Sequence, residues 1–284
     1  MEFFDSHAHL DDEKFNLDRE EIIKKIKEFG VTKFVSAGYS LEGSIKAVEL
    51  SKKYDFIYAT CGISPNDIPQ TEEELWKNID KIKQIVNNNL NRNLNNLKSN
   101  NQKENSQQAY NKTGKVVAIG EIGLDYYWEK DVKRRELQKK AFIKQIEIAN
   151  ELELPIVIHT REAVMDTLEI LKEKNVIKKG IFHCCPLNRE LVKEALKLGF
   201  YISFAGPITF KNSKNANEII GMVPEEKMLI ETDSPYLSPE PFRGKRNDPR
   251  NVRFMAKKIA EVKNIELEKV AKITYENAKT IFEL

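Results

Sequence analysis

The 284-residue chain has four histidines, and each sits where a short apolar run gives out: His7 and His9 in FFDSHAHL, His159 in PIVIHT, His183 in GIFHCC. His7 and His9 are two apart, so in extended backbone their imidazoles leave one face with Ala8 as spacer, and both can grip one ion. Two carboxylates share the setting, Glu121 after VVAIG and Asp233 after MLIET. Nitrogen and oxygen donors of this kind suit zinc, manganese or a related divalent ion such as magnesium, and a mixed set can hold two. One such histidine is readily a satisfied, half-buried residue; six donors gathered at strand ends are not explained that way. Cys185, two residues from His183, is a conceivable soft ligand, but a small buried hydrophobe at the same position is the simpler reading, and it is left out of the set.

The elements that must bring these residues together are short apolar runs alternating with amphipathic ones. EFFDSH precedes 18–29, KFVSAG 41–53, FIYATCG 72–86, KVVAIGE 133–152, PIVIHT 162–174, GIFHCC 188–198, FYISFAG 213–222 and KMLIETD 250–262. Runs rich in Val, Ile and Phe without strict alternation are what parallel strands covered on both faces look like. Eight such strand–helix units predict an α/β fold of the TIM-barrel type over residues 1–284, with 266–283 as an extra helix; an open doubly wound sheet is the runner-up. In a barrel the C-terminal strand ends open onto one face. Strands one, four, five, six and eight then gather His7, His9, Glu121, His159, His183 and Asp233 there.

Charged residues make up 32% of the chain but nearly cancel, leaving +2. No global field therefore draws the protein to nucleic acid or anionic lipid. Met1 leads straight into the first strand-like run, with no signal core and no apolar stretch of about 18 residues that could span a membrane. Three cysteines, Cys61, Cys184 and Cys185, make no disulfide framework and point to a reducing compartment, the cytoplasm by default. The oligomeric state is left open, a monomer included. One stretch breaks the alternation: 87–113, rich in Asn, Gln, Lys and Ser, reads as a low-complexity insertion unable to order itself. Leu90, Leu94 and Leu97 continue the spacing of Ile82 and Val86, so the third helix is expected to run on until about Lys98.

The stretches FFDSHAHLDD at 3–12, AIGEIGLDYY at 118–127, PIVIHTREA at 155–163 and IETDSPYLSPEPFRGKRNDP at 230–249 resemble the TatD family of metal-dependent deoxyribonucleases, within the amidohydrolase-like TIM barrels. The resemblance implies one metal on His7, His9 and Asp233, a second on His159 and His183, and Glu121 bridging both. It also implies a DNA substrate. Two departures bear on substrate preference: Ser64 in CGISP where the family often has histidine, and Cys185-Pro186 in place of a Ser-Gly turn.

On that reading two divalent ions serve phosphodiester hydrolysis, with Asp233 as proton acceptor and Glu121 fixing the spacing. Arg161, two residues beyond His159, can bind a phosphate as a bidentate fork, or pair with a nearby acid. Arg243, Lys245, Arg246 and Arg250 follow the last ligand and can meet further phosphates, although such runs often anchor loops. Tyr126, Tyr127 and Trp128 follow Glu121 and can stack an unpaired base or cap the barrel. The expected substrate is a single-stranded or frayed DNA end cut exonucleolytically. The alternatives are a metal-dependent deacylase or amidohydrolase acting, for example, on an aminoacyl-RNA, and a metal-stabilised binding protein without turnover.

Overall fold

The computed structural model describes the backbone of residues 1–100 and 115–284, with side chains for all of these except 91–100. Its elements run β1 (Phe3–Ala8), α1 (Arg19–Ile26), β2 (Val31–Ala37), α2 (Leu41–Lys53), β3 (Ile57–Cys61), α3 (Glu72–Asn100), β4 (Val116–Asp125), α4 (Val132–Glu151), β5 (Ile156–Arg161), α5 (Val164–Glu173), β6 (Gly180–Phe182), α6 (Arg189–Lys197), β7 (Tyr201–Phe204), α7 (Ala216–Met222), β8 (Met228–Ile230), α8 (Val252–Lys263) and α9 (Leu267–Ile281). The eight strands are parallel and hydrogen-bonded in sequence order, β1 to β8, with helices between them. Past the end of β8 the chain meets β1: Asp233 N–H donates to the His7 carbonyl at 3.0 Å and His9 N–H to the Ser234 carbonyl at 2.7 Å. The result is a nearly closed TIM barrel. The doubly wound alternative is excluded, because its strand order would reverse at a switch point.

Local chemistry starts the helices where the sequence supplies a cap. Ser40 accepts from Gly43 N–H, Asp131 from Arg134 N–H and Asn188 from Leu191 N–H. Each satisfies an orphan first-turn donor, worth about 1 kcal/mol. Two apolar layers follow from the pleat. Outward side chains such as Phe34, Ile158 and Phe182 pack under the helices. Inward ones, including Phe4, Val35, Tyr58, Val117, Val157, Ile181 and Leu229, fill the lower barrel. The ninth helix closes that end, with Ala278, Ile281 and the following Phe282 packed against the inward layer.

The third helix extends to Asn100, beyond the apolar period at 72–86. Asn87 to Leu90, which composition places in the insertion and the apolar spacing places in a continuing third helix, are helical as the spacing predicts, and Asn89 is buried. Its Oδ1 accepts the Val116 N–H at 3.2 Å, so the polar side chain is satisfied where β4 begins. Residues 101–113 of the expected insertion lie outside the described residues. No helix among the described residues is long and apolar enough to cross a membrane.

Candidate metal centre

Two irregularities aim the donors. Asp5 pairs with Phe34 and Ala8 with Ser36, so β1 spends three steps where β2 spends two. The extra residue flips the parity of β1. Phe4 thus points into the lower barrel, yet His7 and His9 reach the interior above it, while Ala8 packs in the outer layer. Strand β4 does the same: Ile119 pairs with Ile156 and Ile122 with Ile158. That shift puts Glu121 and Asp125 on the inner face while Ile119, Ile122 and Leu124 pack outward. Glu121 therefore lies inside a ten-residue strand rather than at its end. Strand β5 needs no bulge, and Val157, His159 and Arg161 simply alternate with Ile156 and Ile158. Gly123, with φ +143°, lets the two strands touch, since a Cβ there would lie 1.9 Å from the His159 carbonyl oxygen.

The six expected donors meet in one cluster at the barrel mouth. Glu121 divides it. Its Oε2 lies 3.3 Å from His7 Nε2 and 3.7 Å from His9 Nε2, and Asp233 Oδ1 lies 3.8 and 3.4 Å from the same two nitrogens. Its Oε1 lies 3.1 Å from His159 Nδ1 and 3.4 Å from His183 Nε2. Five of the six residues are buried, and His159 is partly so. Both ring nitrogens of His7 are buried without a hydrogen-bond partner, an arrangement that costs energy unless another group takes the lone pair. Burial and the neighbouring His183 push His7 down, favouring the neutral, ligating imidazole. Burial opposes charge on His9, but Asp233 raises it to about 9. Burial would likewise raise Glu121, yet His183, His159 and His7 hold it well below the usual carboxylate range. Imidazoles converging on buried carboxylates fit a divalent ion, whose binding displaces protons from such a cluster. The chain is a metal-binding one.

A surrounding shell orients the ligands. His9 Nδ1 is 3.2 Å from the Ala37 carbonyl, His159 Nε2 2.9 Å from Asp125 Oδ2, and His183 Nδ1 3.4 Å from Glu231 Oε1. Asp125 and Glu231 are fully buried. Neither was singled out from the sequence, although a signal was there: Asp125 is four residues after Glu121 and Glu231 two before Asp233, the spacing of one strand face. Gly120 and Gly123 flanking Glu121 also mark a bulge.

Above the cluster opens a cavity of about 840 Å³, lined by Tyr39, Ser64, Asn66, Asp67, Trp128 and Arg161 on one side. The Arg161 guanidinium lies 3.8 Å from the Tyr127 ring centroid and 5.6 Å from that of Trp128. No carboxylate among the described residues is in ion-pair range of it, so the alternative of an acid partner fails. Tyr126 does not line the cavity: its hydroxyl donates to Asp166 at 2.6 Å and Arg135 covers its ring. Arg246 forks onto Asp18, and Arg250 onto Asp248, so these two anchor loops. Arg243 is exposed, bonded to Asn212 and lying over Phe210, away from the cavity lining.

The family described as TatD related DNase matches residues 4–283. The chain is 42% identical to the uncharacterized metal-dependent hydrolase YabD of Bacillus subtilis, over 99% of each chain. It is 34% identical to the uncharacterized metal-dependent hydrolase YcfH of Escherichia coli K12, over 100% of this chain and 97% of that one. The crystal structure of YjjV, a TatD homologue from Escherichia coli, shares the fold with TM-score 0.84 at 23% identity, over 99% of this chain and 98% of that one. The chain belongs to the TatD family of metal-dependent hydrolases.

Proposed function

We propose that the chain hydrolyses DNA phosphodiester bonds, working inward from a single-stranded or frayed end in the cytoplasm. His7, His9 and Asp233 would hold one divalent ion, magnesium, manganese or zinc, and His159 and His183 would hold a second, with Glu121 available to both. The observation that carries this reading is the division of the Glu121 carboxylate, one oxygen toward each imidazole pair. When bound, two such ions neutralise the phosphoryl oxygens, make a nucleophile available at neutral pH and assist the leaving oxygen.

The protein's part is placement and proton handling. Glu121 sets the separation of the two donor groups. Asp233, close enough to His9 to hold a carboxylate there, accepts the proton of the attacking water. Asp125 fixes the ring of His159, and the Ala37 carbonyl fixes His9, so ligand directions do not drift during turnover. Arg161, held on its aromatic shelf, offers a fork to a phosphate in the mouth. Trp128, 66% exposed at the rim, offers a stacking face that Tyr126 does not, and Arg243 lies farther out for a trailing phosphate.

The test is turnover by protein stripped of metal and reloaded with Mg²⁺, Mn²⁺ or Zn²⁺. The expected result is release of nucleotides from linear single strands, slower release from blunt duplexes and none from a covalently closed circle. Rapid cutting of the circle would remove the end requirement. Hydrolysis of acyl esters with no DNA cleavage under any metal would replace the nuclease reading with the deacylase one.

A further inference from the structure

The cavity above the donor cluster has two unlike sides. Toward β3, β4 and β5 it is polar, with Asn66, Asp67 and Arg161; toward β6, β7 and β8 it is lined by Cys185, Pro186, Leu187, Pro207, Ile208 and Leu237. No charged side chain interrupts that second side between 184 and 208. Cys185 and Ile208 form the buried back of this wall, Pro186, Leu187 and Pro207 are half-buried and Leu237 is exposed, and the wall runs directly onto His183 and Asp233.

The backbone is arranged to present it. Leu237 holds φ +51° although it is a branched residue, and the residue is 38% exposed. The left-handed region costs an L-residue about 1–2 kcal/mol. Gly206 makes room for it, since a Cβ there would lie 1.7 Å from the Leu237 carbonyl oxygen. Cys184, at φ +37°, donates its N–H to Glu231 at 2.7 Å. Strain kept in order to expose an apolar side chain beside a reactive centre marks a binding surface.

We propose that this wall is the subsite for the base of the nucleotide whose phosphate sits on the donor cluster, gripping it by its faces rather than reading its edges. The inference rests on the nuclease reading and adds which part of the substrate goes where: phosphate to the cluster, next phosphate toward Arg161, base against Pro186, Pro207 and Leu237. A base is flat and apolar on its faces, matching the wall's chemistry. The wall carries no carboxylate, amide or guanidinium side chain to pair with a base edge, so purine and pyrimidine are accepted alike.

The experiment measures binding to the metal-loaded protein, by calorimetry and Trp128 fluorescence, of deoxyadenosine and thymidine monophosphates against deoxyribose 5-phosphate. The expected result is a preference of about ten-fold for either nucleotide over the sugar phosphate, with little difference between the two bases. Leu237→Ala should cut that preference about three-fold or more, and Leu237→Met, of similar volume, should keep it. Equal affinity for nucleotide and sugar phosphate overturns the inference, as does a Leu237→Ala variant weakened equally toward both. The two readings fail separately. A protein that cuts DNA without this preference loses the wall and keeps the nuclease; one that hydrolyses only acyl esters yet keeps the preference loses the nuclease and keeps the wall.

Discussion

His159 Nε2 lies 2.9 Å from Asp125 Oδ2, a carboxylate that is fully buried and reached from the strand that also carries Glu121. One strand thus supplies both the donor facing His159 Nδ1 and the group that fixes the ring from the other side. Burial alone would raise Asp125, but His159 and the Trp128 N–H hold it below its usual range. Asp125→Asn keeps an oxygen for the Tyr127 and Trp128 amides while removing the charge. Metal affinity or activity should fall about 10–100-fold with the fold intact by circular dichroism. Unchanged metal titration would show the pair to be incidental.

His7→Ala and His9→Ala should each lower metal content by about one ion per chain and remove activity, because each deletes one donor from the side shared with Asp233. The apolar layers below do not depend on either ring. Elemental analysis decides, and wild-type occupancy in both variants would remove these residues from the ligand set.

Asp233→Asn should abolish turnover more completely than substrate binding. The amide keeps the shape and an oxygen donor but cannot accept a proton, so the loss belongs in kcat. Steady-state kinetics separate the cases: a normal kcat with a raised KM would make Asp233 a binding residue.

Gly123→Ala should misplace His159. The added methyl would overlap the His159 carbonyl, and the backbone there is in a region L side chains rarely adopt. We expect destabilisation of about 2 kcal/mol or more together with loss of metal. A variant with wild-type melting temperature and metal content would refute the close approach of β4 and β5.

Arg161→Ala should weaken binding of oligonucleotides and reduce the slope of log affinity against log salt by about one, the signature of one lost phosphate contact. Arg161→Lys should restore charge without the fork or the full stacking on Tyr127, and recover binding only in part. An unchanged slope in the alanine variant would leave Arg161 as a cap for the aromatic pair.

The amino-acid sequence alone was enough to count eight strand–helix units and to name the six side chains that meet at the barrel mouth. Both signals are local: a run of apolar residues covered on two faces, and a ligating residue where that run gives out. Over the start of the 87–113 stretch the apolar spacing, which carries the third helix on toward Lys98, was a better guide than composition, which does not reveal that Asn89 accepts a backbone N–H at Val116. Which residues share a face was also beyond local pattern. The extra residues in β1 and β4 reverse the pleat, so Phe4 and His7 both point inward, and Glu121 reaches the cluster from mid-strand. Register against a neighbouring strand decides that, and the neighbour lies tens of residues away. The same holds for Asp125, Glu231 and the strained Leu237, whose roles exist only once distant strand ends converge. Donor identity is a property of residue type, but orientation and the shape of the mouth are properties of packing, and only the assembled barrel fixes those.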